Sequence, residues 1–256
     1  LDVRLDETPE AELAPPPRAL APRDAPGDGR DLIRAMHAAY ADTWFRNLYI
    51  EQAVATGGET EATEIWTELL ALPGRVRSDI GGPGSGNCEI YRRGIQTIFR
   101  EGERVFDGKA LHTVLMLGFD AYVQDPESTI VQLEENGFDL DVLHETAVNG
   151  RPAWTVGAAP DDTTAGRFTI EKERLLFLGQ VQRSRAGNLI EVVLDDYEPA
   201  GGGWVAATLG FRRNGRSVFD ETYRRYRILE ALDPAIFDPD DYREAPAAWT
   251  LARPQP

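Results

Sequence analysis

Turn dipeptides cut residues 45–229 into pieces of strand length. Pro73-Gly74 separates EIWTELLA from RVRSDI, Glu101-Gly102 separates QTIFR from ERVF, and Asn149-Gly150 separates HETAV from RPAWTVGA. Asn214-Gly215 lies between WVAATLGFRR and RSVFDETYRRYRI, and the charged pair Lys172-Glu173 lies between RFTI and RLLFLGQVQR. Asn-Gly supplies the positive φ that two-residue hairpin turns demand, and Pro-Gly suits a type II turn. Between turns the apolar residues alternate. In FRNLYIEQAV, Leu48, Ile50, Gln52 and Val54 fall on one side and Phe45, Asn47, Tyr49 and Glu51 on the other. Hairpin joints in this number imply a large antiparallel sheet, mostly a meander, so the fold class is mainly β (α+β).

Two helices are expected beside the sheet. In LIRAMHAAYADTW, Leu32, Met36 and Tyr40 recur along one face, with Asp28 or Asp31 as the cap. In DPESTIVQLEENGF, Asp125 is an N-cap, Pro126 sits where its missing N–H costs nothing, and Gly137 ends the helix so that Phe138 folds back on Leu133. Residues 1–30 are rich in Pro, Ala and acidic side chains and read as a linker or tether, and 245–256 as a tail on which Trp249 and Leu251 could dock. One domain over 31–244 remains.

Several chemistries fail on spacing. Gly201, Gly202 and Gly203 precede a strand, whereas a phosphate loop runs into a helix N-terminus with a Lys and a Ser or Thr. They read as a hairpin loop. GGPGSGNC at 81–88 matches neither the dinucleotide nor the hydrolase glycine spacing. The three histidines, His37, His112 and His144, have no metal-ligand spacing and read as solvated or capping residues. Asp238, Asp240 and Asp241 read as a polar turn, and Cys88 has no adjacent cation to lower its pKa. No catalytic residue, metal ligand or cofactor motif is assigned.

Lys and Arg number 27 against 43 Asp and Glu, a net charge of −16, which argues against a nucleic acid or an anionic lipid surface as partner. No window supplies the run of about 18 apolar residues that a spanning helix needs. The start at Leu1, without Met or signal, is that expected of a mature or trimmed product, and the lone Cys88 leaves the compartment open. The strands carry Trp66, Trp154, Phe168, Phe177, Trp204, Phe211, Phe219 and Tyr223. Two helices cannot cover so large a sheet, and a curled sheet with such side chains can enclose a pocket for an apolar ligand.

The order of these phrases resembles the outer-membrane lipoprotein-sorting proteins, the LolA/LolB-type fold, and especially relatives of unassigned role. The resemblance runs through MHAAYADTWFRNLYIEQAV, WTELLALPGRVRSDI, IYRRGIQTIFREGERV, LGFDAYVQDPESTIVQLEENGFDL, NGRPAWTVGA, IEKERLLFLGQV and DYEPAGGGWVA to YRRYRILEALDPAIFDP, about 31–242. It implies an incomplete antiparallel β-barrel whose helices close over an apolar cavity. It also implies non-enzymatic binding of a lipid or an acylated lipoprotein in the periplasm or at the outer membrane. A membrane-bound donor or acceptor protein would be the partner, and a lipidated Cys upstream of Leu1 would be the tether. Cavity candidates are Leu48, Ile50, Trp66, Leu115, Phe119, Trp154, Phe168, Phe177, Trp204, Phe211 and Tyr223, with Arg46 as a polar entrance or a surface ion-pair residue. The alternatives are an interaction or sensor module with a filled cavity, and a hydrolase of apolar substrates using Cys88 or a carboxylate.

Overall fold

The computed structural model describes residues 25–57, 63–184 and 186–242, so most of the expected linker and all of the expected tail lie outside the described residues. The first half of the chain forms β1 (Asn47–Thr56), β2 (Thr63–Ala71), β3 (Arg75–Ile80), β4 (Asn87–Arg92), β5 (Ile95–Arg100) and β6 (Glu103–Lys109). The second half forms β7 (Leu143–Val148), β8 (Arg151–Val156), β9 (Arg167–Glu171), β10 (Phe177–Arg183), β11 (Leu189–Ala200), β12 (Gly203–Arg213) and β13 (Arg216–Leu229). All thirteen join in one sheet of order β6-β5-β4-β3-β2-β1-β13-β12-β11-β10-β9-β8-β7. Two antiparallel meanders therefore meet at the β1–β13 seam, and β6 and β7 are left as edges of an unclosed barrel.

The alternation read in β1 sets the register. Leu48, Ile50, Gln52 and Val54 are all fully buried on the inner face. Leu48 and Ile50 lie opposite Leu70 and Glu68 of β2, and Gln52 lies between Trp66 of β2 and Tyr223 of β13.

Three helices cover this face: α1 (Gly29–Tyr40), α2 (Thr113–Gly118) and α3 (Pro126–Glu135). Asp28 caps α1, its carboxylate accepting the Asp31 N–H at 2.9 Å. Leu32, Met36 and Tyr40 are buried as their spacing predicts, because four-residue steps hold one helix face against the sheet. Asp125 caps α3 through the Ser128 N–H at 3.0 Å, and Gly137 at φ +83° ends it. The Phe138 N–H then reaches the Leu133 carbonyl at 3.1 Å, with both side chains buried. The short α2 was not expected; six residues are too few to display a 3.6-residue period.

Aromatic packing locks the helices down. Trp44 stacks on Tyr122 at 3.9 Å between ring centres, and Tyr40 meets Trp44 edge-on at 5.1 Å. The Tyr122 hydroxyl donates to the Leu175 carbonyl and accepts from the Phe177 N–H, both at 3.1 Å. The β11–β12 turn closes against this cluster. Gly201 and Gly202 take φ +50° and +82°, as a hairpin turn requires. A Cβ on Gly203 would stand 2.6 Å from the Trp44 ring. Gly203→Ala is expected to lose about 1–3 kcal/mol by overpacking, read as a lower urea midpoint; an unchanged midpoint would show that Trp44 can give way.

The outer face carries a second, smaller core of Leu69, Cys88, Ile90 and Phe99 beneath Ile236, Phe237 and Tyr242. Phe99 stacks on Tyr242 at 3.6 Å. At the Pro73-Gly74 turn the Leu72–Pro73 bond is cis and Gly74 takes φ +82°, and the Gly74 N–H donates to both Asp120 carboxylate oxygens at 3.0 and 3.1 Å.

Candidate ligand cavity

Between the inner face and α2 lies a cavity of about 550 Å³. Strands point alternate side chains inward, so the register alone decides which residues meet there. Trp66, Phe219 and Phe211 form an aromatic wall: Phe211 stacks on Phe219 at 4.9 Å, and Trp66 lies 5.6 Å from Phe219. Leu70, Val76 and Ile80 line it from β2 and β3, and Ile190, Val192 and Leu209 from β11 and β12. Leu111, Val114, Leu115 and Phe119 enter from α2 and its flanks.

The lining is not uniformly apolar. Glu68, Ser78, Glu89, Gln96, His112, Gln180 and Glu221 also face the cavity. The Ser78 hydroxyl donates to Glu68 at 2.6 Å. Burial raises the Glu68 carboxyl to about 7, against that hydrogen bond and with help from the Glu89 charge. Burial likewise pushes Glu221 well above the usual carboxylate range, and Glu68 adds to the effect. Glu89 is matched by Arg100 and by the Gln96 amide. His112 caps α2, its Nδ1 accepting the Leu115 N–H at 3.1 Å, and burial lowers its pKa. The Gln180 amide donates to Thr113, while its Oε1 is buried without a partner. Gln52, fully buried on the same face, has neither side-chain polar atom hydrogen-bonded.

Of the expected cavity residues, Trp66, Leu115, Phe119, Phe211 and Tyr223 come together here. Leu48, Ile50, Phe168 and Phe177 instead lie fully buried in the main core with Leu32 and Met36. Trp154 lies under the Lys172 ammonium at 5.0 Å, and Trp204 under the Arg174 guanidinium at 4.8 Å. Arg46 donates to the carbonyls of Val123 and Ala41 at 3.0 and 3.1 Å, which fixes the link from α1 to β1. Glu68 and Glu221 were missed, although both fall in phase with apolar neighbours: Trp66, Glu68, Leu70 on β2 and Phe219, Glu221, Tyr223 on β13. A carboxylate in the apolar phase of a strand is the signal that marks them.

Other groups offer little chemistry. Burial and the neighbouring Asp79 raise the Cys88 pKa, so its thiol stays protonated. Among the described residues, no three His, Cys, Asp or Glu side chains are grouped to hold a metal ion. No helix among them is long and apolar enough to cross a membrane.

No family model matches the chain, and no curated protein matches it in sequence. Solved structures do match. A domain described as an outer membrane lipoprotein-sorting protein, from Vibrio parahaemolyticus, superposes with a TM-score of 0.57 at 13% identity, covering 84% of this chain and 98% of that one. A DUF1329 family protein from Desulfovibrio piger gives 0.52 at 16% identity, over 83% and 96%. A LolA superfamily protein from Nitrosomonas europaea gives 0.50 at 9% identity, over 83% and 98%. With its unclosed thirteen-stranded sheet and three covering helices, this chain has the LolA-like fold.

Proposed function

We propose that this chain binds a lipid, or the acyl chain of a lipoprotein, in the cavity beneath α2, and does so without enzymatic turnover in the bacterial envelope. The observation that carries the reading is the aromatic wall of Trp66, Phe219 and Phe211 facing Leu115 and Phe119 across about 550 Å³. That volume falls in the range of sites for single small ligands. Moving a chain out of water gains about 0.8 kcal/mol per CH₂, so a dozen methylenes give on the order of 10 kcal/mol. A site of this kind needs no catalytic group, and its partner would be a membrane-bound donor or acceptor of the cargo.

Native mass spectrometry of the protein purified from a bacterial envelope without detergent tests this. Adducts that release an acyl lipid on denaturation are expected. They should fall at least about tenfold in Phe211→Glu, which sets a charge in the aromatic wall, provided its circular dichroism is unchanged. A bare mass from folded protein would sink the reading and favour an interaction module.

A further inference from the structure

The cavity holds more hydrogen-bond acceptors than it can satisfy. Gln52 lies directly opposite Trp66 and Tyr223. Glu68 stands two residues beyond Trp66 and Glu221 two residues before Tyr223, so both carboxylates are diagonal neighbours of Gln52 on one face. Ser78 donates to one Glu68 oxygen only. Glu221 is 7% exposed and no described residue donates to it. Gln52 is fully buried and Gln180 is 7% exposed, and the Oε1 of each is without a partner. Against these acceptors the only unused buried side-chain amide donor among the described residues is the Gln52 Nε2. Buried polar groups are rarely left in this state, so a bound group that donates hydrogen bonds completes the site.

Charge points the same way. The cationic groups along the cavity are already engaged or neutral: Arg183 sits exposed at the rim and donates to the Gly187 carbonyl, and His112 accepts through Nδ1. Tyr223 adds a hydroxyl and no charge. Glu89 has Arg100. Of the three carboxylates lining the cavity, Glu68 and Glu221 have no ion-pair partner among the described residues.

We propose that the cavity takes a single-chain amphiphile with an amine head, its ammonium held between Glu68 and Glu221 and its chain lying along Trp66, Phe219 and Phe211. This rests on the reading of the cavity as an acyl-chain site and adds the class of head group. The ammonium supplies three donors and the missing positive charge to the two carboxylates that line the cavity. Because burial holds both carboxyls protonated toward neutral pH, binding strengthens as pH rises through about 7, the value for Glu68. An alkylammonium, like a lysine, stays charged throughout that range.

The test is displacement of a neutral fluorescent reporter by three probes of equal chain length, tetradecylamine, tetradecanol and myristate, below their aggregation limits. Salt at about 0.3 M screens the acidic surface from the amine. At pH 8 the amine is expected to bind about tenfold or more tighter than the alcohol. That margin should shrink to about threefold or less at pH 6 and in Glu68→Gln/Glu221→Gln, with the alcohol measured on each protein as its own reference. If the double variant does not fold, the pH comparison on the native chain still decides. Equal affinities, or myristate binding tightest, would overturn the amine assignment and leave the acyl-chain reading standing. Reporter binding with no displacement by any probe would overturn both.

Discussion

Arg77→Ala is expected to lower the unfolding free energy by about 3–5 kcal/mol, the usual cost of removing one partner of a buried ion pair. Arg77 is 1% exposed and Asp79 2% exposed. The guanidinium grips Asp79 with two bonds, at 2.8 and 2.9 Å, and donates also to the carbonyls of Ile236 and Tyr242, at 3.2 and 3.0 Å. Those two carbonyls belong to the segment after β13 that packs over β3 and β4, so one side chain ties the chain's return to the outer face. Alanine leaves a buried carboxylate without a cation and two carbonyls without donors. Adding Asp79→Ala to Arg77→Ala removes the stranded charge and should restore part of the loss. Urea denaturation of the two variants checks this. A loss under about 1 kcal/mol in Arg77→Ala would mean that water reaches the pair as it reaches a surface bridge.

This pair also marks where sequence reasoning ends. The hairpin series was legible because Asn149-Gly150 and Asn214-Gly215 fix local geometry, and both Asn residues adopt the positive φ their turns require, +50° and +52°. The β1 face was legible because its period is local: Leu48, Ile50, Gln52 and Val54 are buried as written. Both helix caps at Asp28 and Asp125 are likewise properties of four consecutive residues. By contrast, Arg77 and Ile236 stand 159 positions apart, and nothing in RVRSDI announces that its second arginine meets a carbonyl from DPAIF on the outer face. The cavity was half legible for the same reason. Alternation told which residues share a face, but α2, too short to show a period, decides which part of that face is filled and which is open. Leu48 and Ile50 therefore lie fully buried in the main core, while Trp66 and Phe211, farther along the same face, line the open volume.

The inner carboxylates carry the second large effect, with a sign opposite to the common one for acidic side chains. Glu68 ionises near 4.5 in the unfolded chain and near 7 in the fold, where burial opposes its charge. A raised carboxyl means that the folded state holds a proton the unfolded state has released, so stability contributed below pH 4.5 is lost as pH rises to about 7. At about 1.4 kcal/mol per pH unit, that window gives on the order of 3 kcal/mol. Glu68→Gln keeps the shape and an acceptor for the Ser78 hydroxyl, yet has no charge to bury. The variant is expected to match the native chain near pH 4.5 and to exceed it by on the order of 3 kcal/mol at pH 8. Asp120, 4% exposed and also raised to about 7 by burial, loses stability over the same range in both proteins, as does the net charge of −16 through self-repulsion. Those terms cancel in the difference, which reads Glu68 together with the relief of its repulsion on Glu221. Chemical denaturation across pH 4.5–8 reads it directly, and parallel curves for the two proteins would show that the Glu68 carboxylate is solvated in the cavity rather than forced to ionise against burial. A stabilising Glu68→Gln would further mean that the native chain keeps a destabilising carboxylate in its cavity, as a site shaped for a cationic ligand and empty of it must.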